Sequence, residues 1–386
     1  MTGRAKLEGW SRMRIMTTRA RLYRTLRSAY LERAHLLPEA TILFRFKRYD
    51  FQESLIEGLD VVQAGPVRAA WLLARSKVIT LEINEPLMLS SVWGSTLAII
   101  ALRARALVGG PRATIVSYAM ENANPMLRPV GEEGHLRRFA TSHLSRFVWR
   151  HTDRIAFGTD AARITSGTAF GAEAAKTAPR STRRRLKTGM ATTVIPALPA
   201  PCTCPADSGS GGPSVVFLGA LVARKGFLDV LEAWPSVTAR IPAARLTIIG
   251  KGALEDRARQ ASEQDPTIEL IIDPPRREIH GHLRCASVLA LPSQPTAIWR
   301  EQIGLPIVEG LAHGCNIVTT SETGLAAWLT EHGHDVVAPG VGAPVLADAL
   351  VHALQKRAGD GTAAVAALPI VDGRLAADAW MFLDAH

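Results

Sequence analysis

"REQIGLPIVEGLAHG", residues 300–314, carries two glutamates, Glu301 and Glu309, with seven residues between them. Gly304 and Pro306 fall in that interval, which reads as a turn followed by a favourable first helical residue. A helix beginning there leaves the backbone N–H groups of Ile303, Gly304 and Leu305 without internal partners, and with the helix dipole they form an anion site. Glu309, about one turn in, can accept hydrogen bonds from a vicinal diol, and Glu301, on the loop before the helix, can do the same for a second polyol. Two carboxylates flanking an anion site describe a ligand built as sugar, phosphate and sugar. The same residues also read as an early-helix charge and a solvated loop glutamate, so the rest of the chain has to decide.

Outward from this stretch, short β-branched runs alternate with segments of helical periodicity. In the first half they are ATILFRF from Ala40, LDVVQA from Leu59, KVITLEI from Lys77, ATIVSYA from Ala113, DRIAFGT from Asp153 and TTVIPA from Thr192. In the second half they are SVVFLGA from Ser214, ARLTIIG from Ala244, TIELII from Thr267, SVLALPS from Ser287, CNIVTT from Cys315 and DVVAP from Asp335. Such alternation implies βαβ units and mostly parallel sheets. Between the halves lies PALPAPCTCPADSGSGGP, rich in Pro, Gly and Ser. The expected class is α/β, with two Rossmann-like doubly wound domains facing a cleft: residues 1–198, a linker at 199–213, a second domain at 214–360, and a tail at 361–386 that could close as a helix. Ligands in open parallel sheets bind beyond the carboxyl ends of the strands.

Three further features of the second half converge with this stretch, though each alone also has an ordinary structural reading, the basic pair as a solvated turn and the other two as sheet punctuation. FLGALVARKGF runs from a strand into Gly219 and then Arg224-Lys225-Gly226 at a helix start, where a basic pair suits a diphosphate. LTIIGKGALEDRARQ is an ordinary strand–turn–helix, and SVLALPS is a buried strand ending at Pro292-Ser293.

These runs, with EQIGLPIVEG and GCNIVTTSETGLAAWL, resemble the family-4 retaining glycosyltransferases of GT-B architecture over about residues 214–345. The resemblance implies that Glu301 holds hydroxyls of the transferred sugar, Glu309 the ribose and Lys225 the diphosphate. It further implies that Gly219, Arg224 and the amides of Ile303, Gly304 and Leu305 line the donor site. Ile272–Pro274 would wall the base. Catalysis would rest on Glu301 and Lys225, with a nucleoside-diphosphate sugar as donor and no catalytic metal or other cofactor. In this family an arginine often follows the first-strand glycine; here Ala220 stands there, and Arg224 could compensate. The competing readings are a catalytically silent sugar-nucleotide or glycan-binding protein of the same fold, and a sugar-nucleotide epimerase.

The first half should bind the acceptor, a glycan, lipid-linked or small-molecule hydroxyl. Its candidates follow strands: Glu82, Asn84 and Glu85 in LEINEPLMLSS, and Glu121, Asn122 and Asn124 in YAMENANP. Turn-forming asparagines before Pro125 explain the latter equally well. No catalytic histidine can be placed there.

The chain of 386 residues has a net charge of +10, which favours anionic partners. Three basic stretches stand out: RAKLEGWSRMRIMTTRARLYRTLRSAYLER near the start, HLRRFATSHLSRFVWRH at 135–151, and PRSTRRRLK at 179–187. An amphipathic basic helix suits an anionic membrane surface, with Trp10, Phe139, Phe147 and Trp149 as interfacial residues, or else packs on the sheet with a solvated basic face. Nucleic acid is not an expected partner, since no zinc ligands, helix-turn-helix or aromatic strand motif accompanies the charge. Cys202, Cys204, Cys285 and Cys315 show no CxxC spacing and no histidines at zinc-finger distances, which points to a reducing, cytoplasmic compartment. The most apolar segment, Ser95–Gly110, is broken by Arg103 and Arg105.

Overall fold

A computed structural model describes residues 15–48, 51–127, 134–171, 189–204, 212–297, 299–356 and 365–383. The chain forms two compact units: one runs to Pro196 and resumes at Arg374, the other is Ala197–Gly373.

The first unit is built on a parallel sheet of β1 (Arg19–Leu26), β2 (Thr41–Lys47), β3 (Val61–Gln63), β4 (Thr80–Ile83), β5 (Thr114–Ala119), β6 (Arg154–Phe157) and β7 (Ala191–Val194). Its order is β3-β2-β1-β4-β5-β6-β7, so the direction of winding reverses between β1 and β4. Helices α1 (Ser28–Ala34), α2 (Pro66–Ala74), α3 (Val92–Leu107), α4 (His135–His151) and α5 (Asp160–Phe170) connect the strands. The apolar stripe of α3, Ala98, Ile99 and Leu102, is fully buried against Leu73, Leu81 and Ile115 in one core cluster. At the start of α5 the Thr159 hydroxyl accepts the Ala162 N–H at 3.0 Å, capping the helix.

The strand that the sequence reading missed is β1. Arginines at 19, 21 and 24 make RARLYRTL look like part of a basic helix, yet it is a central strand with Arg21 only 2% exposed. Arg21 is tolerated because Glu82 on β4 and Asp378 on α12 (Gly373–Met381) accept its guanidinium hydrogens. Arg374 pairs with Glu82 and Asp378 in turn, and the Tyr23 hydroxyl donates to Glu82 at 3.1 Å. Four buried charges of alternating sign thus fasten the C-terminal helix to the first unit; losing one partner from such a network strands the others and costs about 3–5 kcal/mol.

The second unit repeats the plan with β8 (Ser214–Leu218), β9 (Arg245–Ile249), β10 (Ile268–Ile271), β11 (Val288–Leu291), β12 (Asn316–Thr320) and β13 (Asp335–Val337), all parallel in the order β10-β9-β8-β11-β12-β13. Here the winding reverses between β8 and β11. Its helices are α6 (Phe227–Arg240), α7 (Glu255–Gln264), α8 (Arg276–Cys285), α9 (Leu305–Ala312), α10 (Ala326–Glu331) and α11 (Ala343–Gln355). Trp234 on α6 is fully buried, and its indole N–H donates to the Thr267 hydroxyl at 2.9 Å, which satisfies its one polar atom.

Among the described residues no helix is long and apolar enough to cross a membrane. Of the aromatic residues expected at a membrane interface, Phe147 packs against the first unit's core and Trp149 stacks on Phe170 at 4.5 Å, so both are structural. Phe139 is 62% exposed beside Leu136 at 82%. Trp10 and the cluster at 179–187 lie outside the described residues.

Candidate active site

The donor-side candidates gather where the second sheet reverses direction. Past β8 the chain turns through Gly219, forms a short helical turn at Ala223–Lys225 and enters α6 through Gly226, whose φ is +71°. A side chain at Gly226 is impossible on two counts: the left-handed backbone, and a Cβ that would lie 2.1 Å from the Pro292 carbonyl oxygen. The basic turn is therefore pressed onto the end of β11. Gly304 approaches the same strand end, with a φ of +82° and Leu291 beside its absent side chain.

That convergence brings Lys225 to Glu301. Their ammonium and carboxylate form a short ion pair with side chains 15% and 10% exposed, and the Ser293 hydroxyl donates to the same carboxylate oxygen at 2.9 Å. The Trp299 ring lies under both neighbouring cations, 4.8 Å from the Arg224 guanidinium carbon and 5.1 Å from Lys225 Nζ. Arg224 Nη1 is buried with no hydrogen-bond partner among the described residues, which leaves a charged donor for an anion. Ser293 and Trp299 were not singled out from sequence. Ser293 ends an unremarkable strand run, and Trp299 gains meaning only once the chain folds it beneath the basic pair.

Beyond Glu301, Ile303 is buried and its carbonyl accepts the Thr323 hydroxyl at 2.7 Å, which steadies the loop. Helix α9 starts after Gly304 with Pro306 in its first turn, and the Ile307 N–H already returns to the Gly304 carbonyl at 2.9 Å. Leu305 is the exposed first residue, so the amides preceding Ile307 form the open end of the helix. Ile307, Gly310 and Leu311 bury the opposite face against β11 and β12. Glu309 is half-buried and pairs with Arg276 at 3.2 Å, the first residue of α8 and a cation absent from the sequence reading. Ile272–Pro274 follow β10, with Asp273 held by Lys251 at 2.6 Å on the surface.

On the first unit the picture changes for one candidate. Glu82 lies within β4, not on a loop after it, and its carboxylate is taken up by Arg21, Arg374 and Tyr23. Burial would raise its pKa, but the two guanidinium groups outweigh burial and hold the carboxyl below its usual range. Glu82 is thus a structural anchor. Its neighbour Glu85 sits on the loop, where its carboxylate accepts the N–H groups of Met120 at 3.0 Å and Glu121 at 2.9 Å. Burial, with the nearby Glu121 charge, pushes the Glu85 carboxyl up to about 7 against the pull of those amides. Asn84 accepts the Arg24 N–H at 2.8 Å and so ties the ends of β1 and β4 together at the reversal point. Glu121 and Asn122 follow β5, and the Glu121 carboxylate accepts the Ala123 N–H at 3.3 Å. Asn84, Glu85, Glu121 and Asn122 thus lie around the carboxyl ends of β4 and β5.

Residues 212–356 match the family described as Glycosyl transferases group 1. No curated protein matches the chain by sequence. Among solved structures, Anabaena HepE in complex with UDP is similar at 12% identity over 95% of this chain and 96% of its own, with a TM-score of 0.62. A UDP-forming α,α-trehalose-phosphate synthase from Burkholderia xenovorans is similar at 14% identity, 95% and 96% coverage and a TM-score of 0.57. WaaG, a glycosyltransferase involved in lipopolysaccharide biosynthesis, gives 13% identity, 95% and 100% coverage and a TM-score of 0.54. At these identities the likeness is one of fold. The group 1 glycosyl-transferase match over residues 212–356 thus sits in a chain of GT-B fold.

Proposed function

We propose that this chain is a retaining glycosyltransferase that moves a hexose-type sugar from a nucleoside-diphosphate sugar to a hydroxyl acceptor, glycan, lipid-linked or small. The observation that carries the reading is the Lys225–Glu301 pair beside the open first turn of α9, inside the segment that matches the group 1 family. One side of the pair suits the diphosphate and the other the sugar hydroxyls, so a single contact couples leaving group to transferred group. HepE was solved with UDP and with UDP-glucose, which makes uridine donors the first to try.

In this reading the charge that develops on the departing diphosphate is met by Lys225, by the unpartnered guanidinium N–H of Arg224 and by the amides at the start of α9. Glu301 orients the sugar through its hydroxyls, and Glu309 exchanges its contact with Arg276 for the ribose diol. The acceptor hydroxyl arrives on the leaving-group face, and a donor phosphate oxygen takes its proton. Asn84, Glu85, Glu121 and Asn122 hold the acceptor on the first unit. A lipid-linked acceptor on an anionic, cytoplasmic membrane face fits α4, where Leu136 and Phe139 are exposed next to Arg137.

The test is release of nucleoside diphosphate from a panel of sugar nucleotides with and without polyprenyl and glycan acceptors. Acceptor-dependent release with the anomeric configuration kept supports the proposal. Binding without release marks a silent binding protein, and an altered free sugar formed without acceptor marks an epimerase; either outcome overturns it.

A further inference from the structure

Away from the Lys225–Glu301 pair, the second unit brings together four groups that no part of the proposed reaction uses. Cys202 and Cys204 lie on the segment that opens the unit, His280 sits in the middle of α8, and His313 caps α9. Their Sγ and ring nitrogen atoms all lie within 4.8 Å of one another. The two sulfurs are 3.1 Å apart, Cys202 Sγ is 3.7 Å from His280 Nδ1, and His280 Nδ1 is 3.0 Å from His313 Nε2.

We propose that Cys202, Cys204, His280 and His313 bind a structural zinc ion that clamps the opening segment of the second unit to α8 and to the C-terminal end of α9. With bonds of about 2.3 Å to sulfur and about 2.0–2.1 Å to nitrogen, a tetrahedral zinc separates its ligands by roughly 3.8 Å for S–S, 3.6 Å for S–N and 3.4 Å for N–N. The three pairs measured above are within about 0.7 Å of those values and the remaining pairs lie within 4.8 Å, so rotation of the four side chains brings the set to tetrahedral spacing. A disulfide does not describe the cysteines, whose sulfurs are well beyond the bonded distance of about 2.05 Å.

Orientation supports the same assignment. His313 Nδ1 lies 2.7 Å from the Glu309 carbonyl oxygen, which can only accept, so Nδ1 carries the proton and Nε2 turns its lone pair into the cluster. This is the arrangement by which a metal-bound histidine is fixed from behind. Arg284 plays the matching part for sulfur: it donates to Cys204 Sγ at 2.7 Å and to the carbonyls of Cys204 at 2.9 Å and Cys202 at 3.2 Å. The Cys202 N–H donates to the Ala312 carbonyl at 2.8 Å, so the opening segment already lies along the end of α9. Two thiolates balance the charge of a divalent cation, and an S₂N₂ tetrahedral set selects zinc among common divalent metals. With no open ligand position, the ion is structural and not catalytic.

The ion would tie together segments 78 and a further 33 residues apart in sequence. Because His313 is held to the Glu309 carbonyl, the clamp also steadies the helix that carries the proposed ribose carboxylate.

Elemental analysis of the purified full chain, after zinc loading and gel filtration in metal-free buffer, should find one zinc per chain. Cys202→Ser/Cys204→Ser and His280→Ala should lose it, while Cys285→Ser, exposed and outside the cluster, should keep it. Stripping the ion with a strong chelator should lower the Tm by roughly 5–10 °C. Cobalt in place of zinc should give thiolate-to-metal charge-transfer absorption with intense tetrahedral ligand-field bands, a reading on the wild-type chain that stands even if the variants fail to fold. A loaded wild-type chain that holds no more zinc than the double cysteine variant, or a cobalt form without thiolate absorption, overturns the proposal.

Discussion

Lys225 and Glu301 are the residues whose separation should be most informative. Unit charges in contact at an effective dielectric near 20 attract by about 4–5 kcal/mol, and desolvation offsets most of that gain. The net value of the intact pair is therefore small, whereas orphaning one member is costly. Lys225→Met leaves a carboxylate only 10% exposed, and the expected loss of stability is about 3 kcal/mol. Glu301→Gln leaves an ammonium that keeps the Trp299 face and has more access to water, so about 1–2 kcal/mol is expected. The double variant removes both charges and should lose less than about 2 kcal/mol, a coupling of roughly 2–3 kcal/mol in urea denaturation. Ligand binding adds a sign. In the proposed donor pose the carboxylate competes with the diphosphate for Lys225, so Glu301→Gln should bind UDP about 3-fold more tightly while transfer falls by about 100-fold or more; Lys225→Met should weaken UDP by about 10-fold or more. Stability losses that add to within about 0.5 kcal/mol, or a Glu301→Gln variant that loses UDP affinity as Lys225→Met does, would refute the coupling of phosphate and sugar sites.

Three other outcomes follow from the geometry. Glu309→Ala should weaken UDP binding by about 10-fold in calorimetry with little loss of stability, because Glu309 is half-buried and its ion pair with Arg276 is partly exposed to solvent; unchanged affinity removes the ribose assignment. Glu85, pushed from 4.5 up to about 7 by burial, favours the folded state in its protonated form, so its contribution is complete below about pH 4.5 and is lost as pH rises through about 7. The ceiling is about 3 kcal/mol and partial exposure brings it nearer 1–2 kcal/mol; Glu85→Gln should flatten the wild-type decline in urea stability between pH 5 and 8. Parallel curves would contradict it. Asp378→Asn should lower stability by about 3 kcal/mol through the stranded charge on Arg21 and Arg374, read as thermal unfolding of the first unit; a loss under about 1 kcal/mol would show the network to be dispensable.

Much of this fold can be read from local pattern. Twelve runs of apolar and β-branched residues mark β2 to β13, because buried parallel strands are nearly continuous in such side chains. The exception is β1, whose arginines mimic a basic helix; its reason, Glu82 and Asp378 waiting 61 and 357 residues away, has no local trace. The same long-range pairing hid the structural character of Glu82 and left Glu85 as the loop carboxylate. The proposed donor residues were legible as motifs, since Gly219 and Lys225 lie between a strand end and a helix start, Glu301 and Gly304 precede α9, and Glu309 lies about one turn into it. Their pairing was not, because contact between Lys225 and Glu301 depends on strand order, with β11 next to β8. Spacing also misled at the cysteines: Cys202 and Cys204 have no histidine nearby in sequence, and α8 and α9 deliver His280 and His313 only after folding. Phe147 and Trp149 repeat the lesson on α4, where the register of the helix turns them inward while Phe139 stays exposed.

Amide hydrogen exchange with and without saturating UDP-sugar tests the donor site most directly, since it reads the backbone on which the site is built. Slowed exchange is expected in two stretches, Gly219–Phe227 and Glu301–Glu309, with the amides at the start of α9 among the most protected. Binding that leaves both stretches unchanged and protects other parts of the chain would contradict the proposed donor site.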